Sequence, residues 1–152
     1  MENKQEILMG MQEIITGLSQ QAIGHEMHAR IFISQGFNKL GEKYLSHAKE
    51  EREYVSKFID RLLDLDFKIK NEDKKESPIY YDIVEFLKYD LETSVNGLAW
   101  LKDIVEKARD DYKSFDLLSD YYQDEDEDKN WIQQQFDLIE KIGLQNWLFT
   151  QI

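Results

Sequence analysis

Residues 7–32 read ILMGMQEIITGLSQQAIGHEMHARIF. Ile7, Met11, Ile14, Leu18, Ala22, His25, Ala29 and Phe32 recur in steps of three and four, the spacing of one buried face of an α-helix. Seven of the eight are apolar, and the exception, His25, lies inside the stripe. Outward from this stretch the pattern repeats three times. A second helix over about 39–65 carries Tyr44, Ala48, Glu51, Val55, Phe58, Leu62 and Leu65. A third, running to about 110, carries Ile83, Leu87, Leu91, Ser94, Leu98, Leu101 and Val105. A fourth, over about 114–141, carries Leu118, Tyr121, Glu125, Asp128, Ile132, Phe136 and Ile139.

The punctuation agrees with helices. The chain of 152 residues has one proline and seven glycines, too few turn formers for a β-rich domain. The first helix, over about 4–35, is expected to stop near Gly36. Ser77-Pro78 is expected to open the third, proline being favoured in a first turn. Gly143 is expected to cap the fourth, and LQNWLFTQI to form a short fifth helix. FKIKNEDKKES then forms a polar, mobile surface crossing between the second and third helices. The expectation is an all-α four-helix bundle, one domain over residues 1–152, with a long crossover between the second and third helices and a short C-terminal fifth helix.

Composition narrows the function. With 31 Asp and Glu against 19 Lys and Arg, the net charge is −12, which disfavours a nucleic-acid partner. The absence of cysteine excludes disulfides, thiolate zinc sites and cysteine nucleophiles. No stretch is apolar enough to span a membrane. MENKQEILMGMQEIITG is amphipathic and unlike a secretory leader, so a cytoplasmic protein is expected. There is no glycine-rich phosphate loop and no Ser/His/Asp arrangement.

The chemistry lies where the stripes break. His25, Glu51, Ser94, Glu125 and Asp128 all fall near mid-helix, so an antiparallel bundle places one histidine and three carboxylates around an interior pocket. Burying unpaired carboxylates costs several kcal/mol each. Three readings follow: the group binds a metal ion, protons or water neutralise it, or the register differs and some members face solvent. His25 and His28 are three apart, unlike the i, i+4 histidines of zinc proteases, and His28 is expected to satisfy core or interface hydrogen bonds. His47 precedes the seam and is expected to be exposed. The run 124–128 is a solvated acidic face except at Glu125 and Asp128.

The chain also resembles the bacterioferritin family. WIQQQFDLIEKIGLQNWL (131–148) is similar to the end of that family's fourth helix and its fifth. His28-Ala-Arg-Ile-Phe, Gly36-Phe and Leu40 resemble the end of its first helix, Ile59-Asp-Arg-Leu-Leu-Asp-Leu65 the end of its second, and Asp90-Leu91 and Gly97 its third. The likeness spans nearly the whole chain, with about two residues missing near the turn between the third and fourth helices. It implies a hollow shell of twenty-four subunits that stores iron, ferrous oxidation at an intrasubunit di-iron centre, and haem between paired subunits.

Carried over position by position, the resemblance implies a depleted centre. The first-helix glutamate falls on Leu18, the second-helix Glu-x-x-His on Glu51 and Tyr54, the bridging third-helix glutamate on Ser94, and the fourth-helix pair on Glu125 and Asp128. The tyrosine beside the centre falls on His25, and the haem methionine on Arg52, which is expected to pair with a carboxylate and makes haem binding unlikely. Two of six ligands remain. The expected function is iron storage or shell building with weak or absent ferroxidase activity, by self-association and with possible co-assembly with an active ferritin-like subunit. At most one residual metal site, for iron, is expected at His25, Glu51, Glu125 and Asp128. The alternatives are a metal-dependent oxidase with a remodelled site and a non-storage oligomeric binding module.

Overall fold

The computed structural model describes residues 2–152. Its elements are α1 (Glu2–Ser34), α2 (Asn38–Asp64), α3 (Ile83–Lys107), α4 (Tyr112–Ile142) and α5 (Leu144–Phe149), with no strand among the described residues. The fold is all-α, as the apolar spacing requires. No helix among the described residues is long and apolar enough to cross a membrane. Two helical hairpins, α1–α2 and α3–α4, are joined by the crossing at residues 65–82. All eight α1 stripe residues are buried, and no stripe residue of the other helices is exposed.

Local chemistry fixes the turns. Gly36 has φ 95° and closes α1 with a Schellman pair, Phe37 N–H to Phe32 C=O (2.9 Å) and Gly36 N–H to Ile33 C=O (2.9 Å). The same pair ends α2, where Phe67 N–H reaches Leu62 C=O (3.0 Å) and Asp66 takes the left-handed position with φ 57°. Arg61 ties this end of α2 to the start of α4, donating to Ser114 Oγ (2.9 Å) and Asp111 Oδ1 (2.9 Å).

Two expectations are corrected. The third helix begins at Ile83, not at Pro78, because Asp82 is the better cap: its carboxylate accepts from Glu85 N–H at 3.0 Å. Tyr80 N–H is meanwhile committed to His28 Nε2 at 3.0 Å. The crossing is exposed but tethered along the polar side of α1. Gln12 exchanges two hydrogen bonds with the Lys70 backbone (2.9 and 3.0 Å), Thr16 donates to Glu72 (2.6 Å), Gln20 donates to Lys75 C=O, and Gln35 to Tyr81 C=O (2.8 Å).

The C-terminal segment closes one end of the bundle. Trp147 is fully buried and donates its indole N–H to Gln135 Oε1 at 3.0 Å. Gln151 C=O accepts from Lys39 N–H (3.0 Å) and Leu40 N–H (3.4 Å), capping the start of α2, where no side chain does so. Apolar character in α5 suggests a subunit contact, but Trp147 is spent within its own chain. Phe149 and Ile152 stay exposed.

The interior divides into two apolar clusters. One gathers Ile7, Met11, Leu18, Phe58, Leu62, Leu101, Leu118 and Tyr121; the other gathers Ala29, Phe32, Leu40, Tyr44, Phe86, Leu87, Ile132 and Trp147. His25, His47, Glu51, Asp90, Ser94 and Glu125 are buried polar residues along the middle stretches of the helices and belong to neither cluster.

Gly41 sets the α1–α2 spacing. A methyl group there would stand 2.7 Å from Ala29 C=O and closer still to Ile33 Cγ1. Gly41→Ala should therefore lower stability by about 1–3 kcal/mol. Gly97, with open space around its Cβ direction, should tolerate Ala or gain about 0.5–1 kcal/mol from helix propensity. Thermal melts of both variants check the contrast, and equal effects would refute the close approach.

Candidate metal centre

Each long helix delivers part of the polar layer. His25 comes from α1, Glu51 from α2, Asp90 and Ser94 from α3, and Glu125 and Asp128 from α4. His25, 6 % exposed, lies between two carboxylates: Nδ1 is 2.6 Å from Glu51 Oε1, and Nε2 is 2.7 Å from Asp90 Oδ1. The outer oxygens are also held. Gln21 Nε2 donates to Glu51 Oε2 at 2.7 Å, and Tyr44 O–H donates to Asp90 Oδ2 at 3.0 Å.

This geometry sets the charge state. Neutral imidazole has one N–H and one bare lone pair. With an ionised carboxylate against each ring nitrogen, both nitrogens donate and His25 is an imidazolium. Burial by itself lowers the pKa of His25, but the charges of Asp90 and Glu51 outweigh it and hold the ring well above its ordinary 6.5. Burial likewise opposes ionisation of Asp90, yet the His25 cation and the hydrogen bonds from His25 and Tyr44 leave it lowered from its usual value. A buried ion group is tolerable when every member is bonded, and this one is.

The sequence-named set is only partly brought together. His25 and Glu51 bind each other. Glu125 is buried with Oε1 unpartnered. It reaches an open cavity of about 320 Å³ whose lining includes Leu18, Gln21 and Tyr121. Burial, then the nearby Glu51 and Asp128, push its pKa well up. Asp128 lies nearer the surface, and burial with Asp124, Glu51 and Glu50 pushes it up to about 8.

Two members were missed. Asp90 carries half of the clamp but entered the sequence reading only as part of a scaffold motif. The signal was present: the α3 face can be traced Leu87, Asp90, Ser94 as well as Leu87, Leu91, Ser94, and Leu91 is the less buried of the two. Gln21 had no signal beyond lying one turn before His25. His47, expected to be exposed, is buried at 3 % exposure. Tyr44 and Trp131 pack edge-on against its ring, at 5.2 and 5.8 Å, widening the covered face of α2. His28 meets its expectation, bonding Gly24 C=O at 2.7 Å and Tyr80 N–H.

A di-iron centre does not fit these residues. Such a centre needs bridging carboxylates and imidazoles. Leu18 is core hydrocarbon, 3 % exposed. Ser94 brings a neutral hydroxyl. Tyr54 donates its O–H to Asp120 Oδ2 at 2.9 Å. Burial, with Asp120 close by, raises that phenol's pKa, so it stays protonated at neutral pH. Glu51 has both oxygens occupied by His25 and Gln21. Arg52, at the position where the resemblance expects a haem ligand, pairs with Glu26 and has no lone-pair donor.

The layer has a signed pH dependence. The folded pKa of His25 is raised, so its contribution is complete below about pH 6.5 and fades as pH climbs through the folded value. Asp128 (about 8), Asp124 (about 6) and Glu125 are raised too. Each then holds a proton that the unfolded chain releases, and stability falls as pH rises above about 4. Asp90 is lowered and acts in the opposite sense, losing stability only below about pH 4. The melting temperature of chelator-treated protein should therefore be highest near about pH 4–5 and drop by several degrees by pH 8.5. Asp128→Asn should flatten the slope, and a melting temperature that rises across this range would contradict the assignment.

Comparison with known proteins places the architecture. The ferritin-like domain family matches residues 18–142. The bacterial ferritin of Neisseria meningitidis serogroup A is 32 % identical over 156 residues, covering 100 % of both chains. That of Synechocystis sp. is 29 % identical over 100 % of this chain and 99 % of its own, and that of Pseudomonas aeruginosa is 26 % identical over the full length of both. A family match across four helices and full-length relatives at these identities show that the chain belongs to the ferritin-like family, among the bacterial ferritins.

Proposed function

We propose that this chain is a cytoplasmic, shell-forming iron-storage subunit that does not oxidise iron at an intrasubunit centre. The observation that carries the reading is the state of Glu51, whose two oxygens are occupied by His25 Nδ1 and Gln21 Nε2. A metal entering there would have to displace an internal cation and a hydrogen bond. The buried ring supplies positive charge that ferrous ions supply in an oxidising centre. Leu18 and Ser94 remove two anionic ligands, so charge compensation for a second ion is lacking.

Iron is the cargo in this reading. Residual binding by the sequence-named group falls to Glu125 and Asp128, with His25 and Glu51 engaged with each other. Oxidation then comes from a co-assembled active subunit or from the growing mineral. The full-length match to bacterial ferritins supports self-association. Exposed Phe149 and Ile152 at the C-terminal end, and Trp100 and Tyr81 elsewhere, offer apolar contact surface.

Native mass measurement with stopped-flow ferrous oxidation tests the reading. An assembly far larger than a dimer is expected, without a fast stoichiometric phase at two irons per chain. A monodisperse monomer would refute the shell, and a fast paired-iron phase would refute the oxidation claim. The clamp makes a sharper prediction. Leu18→Glu, Tyr54→His, Ser94→Glu and Asp128→His together should restore little while His25 holds Glu51. Adding His25→Tyr should raise the rate tenfold or more, about 1.4 kcal/mol of barrier. Circular dichroism confirms that both combinations are folded. Equal rates with and without the His25 change would show that the clamp is not the obstacle.

A further inference from the structure

The cavity that Glu125 reaches is bounded by α1, α3 and α4 and holds about 320 Å³, the lower end of the roughly 300–1,000 Å³ range of small-molecule sites. Glu13 and Trp100, both exposed, form its rim. Buried Leu18 and Tyr121 give it an apolar wall. Glu125, 8 % exposed, completes the lining, and its Oε1 is buried without a hydrogen-bond partner.

A separate observation concerns how the space is kept open. Gly17 of α1 and Gly97 of α3 both line the cavity. Glycine inside a helix is unfavourable relative to alanine, and its usual justification is close packing, as at Gly41. Neither Gly17 nor Gly97 has that reason, since a Cβ at either would meet nothing within 4 Å. Side chains are missing from the two facing helices where they would otherwise fill the opening above Glu125.

Charge and donor chemistry select the occupant. Among the described residues no Lys, Arg or His lines the cavity, whereas Glu13 and Glu125 do. A bare divalent ion would find one inner carboxylate there, because Leu18 has no donor atom and both oxygens of Glu51 are engaged by His25 and Gln21. An organic cation meets the lining better. Its N–H groups suit the unpartnered oxygen of Glu125, aromatic faces at Tyr121 and Trp100 attract positive charge, and hydrocarbon packs against Leu18. Burial and the charges of Glu51 and Asp128 oppose ionisation of Glu125, and an ammonium group supplies the compensating charge.

We propose that this cavity binds a small organic cation, a primary ammonium group on a short apolar chain, with the ammonium at Glu125 and the chain against Leu18, Tyr121 and Trp100. Isothermal titration calorimetry of the chelator-treated, intact assembly with n-hexylammonium chloride tests the site, with 1-hexanol and hexanoate as controls of equal chain length. One hexylammonium per chain is expected, bound at least tenfold more tightly than hexanol, with no detectable hexanoate binding. Glu125→Gln should abolish the preference for the ammonium and leave hexanol affinity within twofold. Glu127→Gln, an exposed carboxylate on the same helix, should change neither ligand by more than twofold. Gly97→Leu fills the open space and should weaken both ligands tenfold or more. Leucine favours helix, so this variant should keep its circular dichroism spectrum. Equal affinity for hexylammonium and hexanol would overturn the site, as would hexanoate binding as tight as hexylammonium. So would an ammonium preference that survives Glu125→Gln, or an affinity that survives Gly97→Leu. None of these results bears on particle size or oxidation rate, so the cavity and the storage reading fail separately.

Discussion

An imidazolium held between two buried carboxylates organises the interior of this bundle. His25, Glu51 and Asp90 come from three different helices, and bonds of 2.6 and 2.7 Å join them. Removing any one member leaves an uncompensated buried charge, the situation that costs most in a protein core. The clamp therefore ties α1, α2 and α3 to one another at this level. Its outer bonds, from Gln21 and Tyr44, extend that constraint within α1 and α2.

Under the proposed storage reading, the same constraint lets a ferritin-like scaffold keep its shape without the ligands of an oxidising centre. In such a bundle, anionic side chains at mid-helix need a cation. Here a protonated ring is covalently supplied at position 25, and leucine and serine at 18 and 94 reduce the negative charge to be balanced. The charge that remains is displaced toward α4. Glu125 and Asp128 are not reached by the clamp, and burial raises the pKa of both. Asp128 lies 3.4 Å from the buried His47 ring on one side and has Glu50 and Asp124 within 4.8 Å.

Much of this was legible in the sequence. Apolar spacing with little proline or glycine determined four long helices, and all eight α1 positions named from residues 7–32 are buried. Polar intruders at mid-helix marked the level of the layer. What the sequence did not disclose was partnership. Periodicity assigns a face, but it does not say which oxygen meets which nitrogen. Asp90 was hidden because two tracings of the α3 face, through 90 or through 91, are equally regular. His47 was misread because Trp131, from another helix, covers it. The start of α3 was placed too early because a proline is a strong local signal, while the capping carboxylate of Asp82 and the Tyr80–His28 bond depend on tertiary geometry.

The claim that an internal proton stands in for bound metal is tested most directly by locating that proton. Neutron diffraction from deuterated, metal-free crystals at neutral pH would show it. The account predicts deuterium on both Nδ1 and Nε2 of His25 and none on the oxygens of Glu51 and Asp90 that face the ring. A bare ring nitrogen, with the deuteron instead on either of those carboxyl groups, would contradict it.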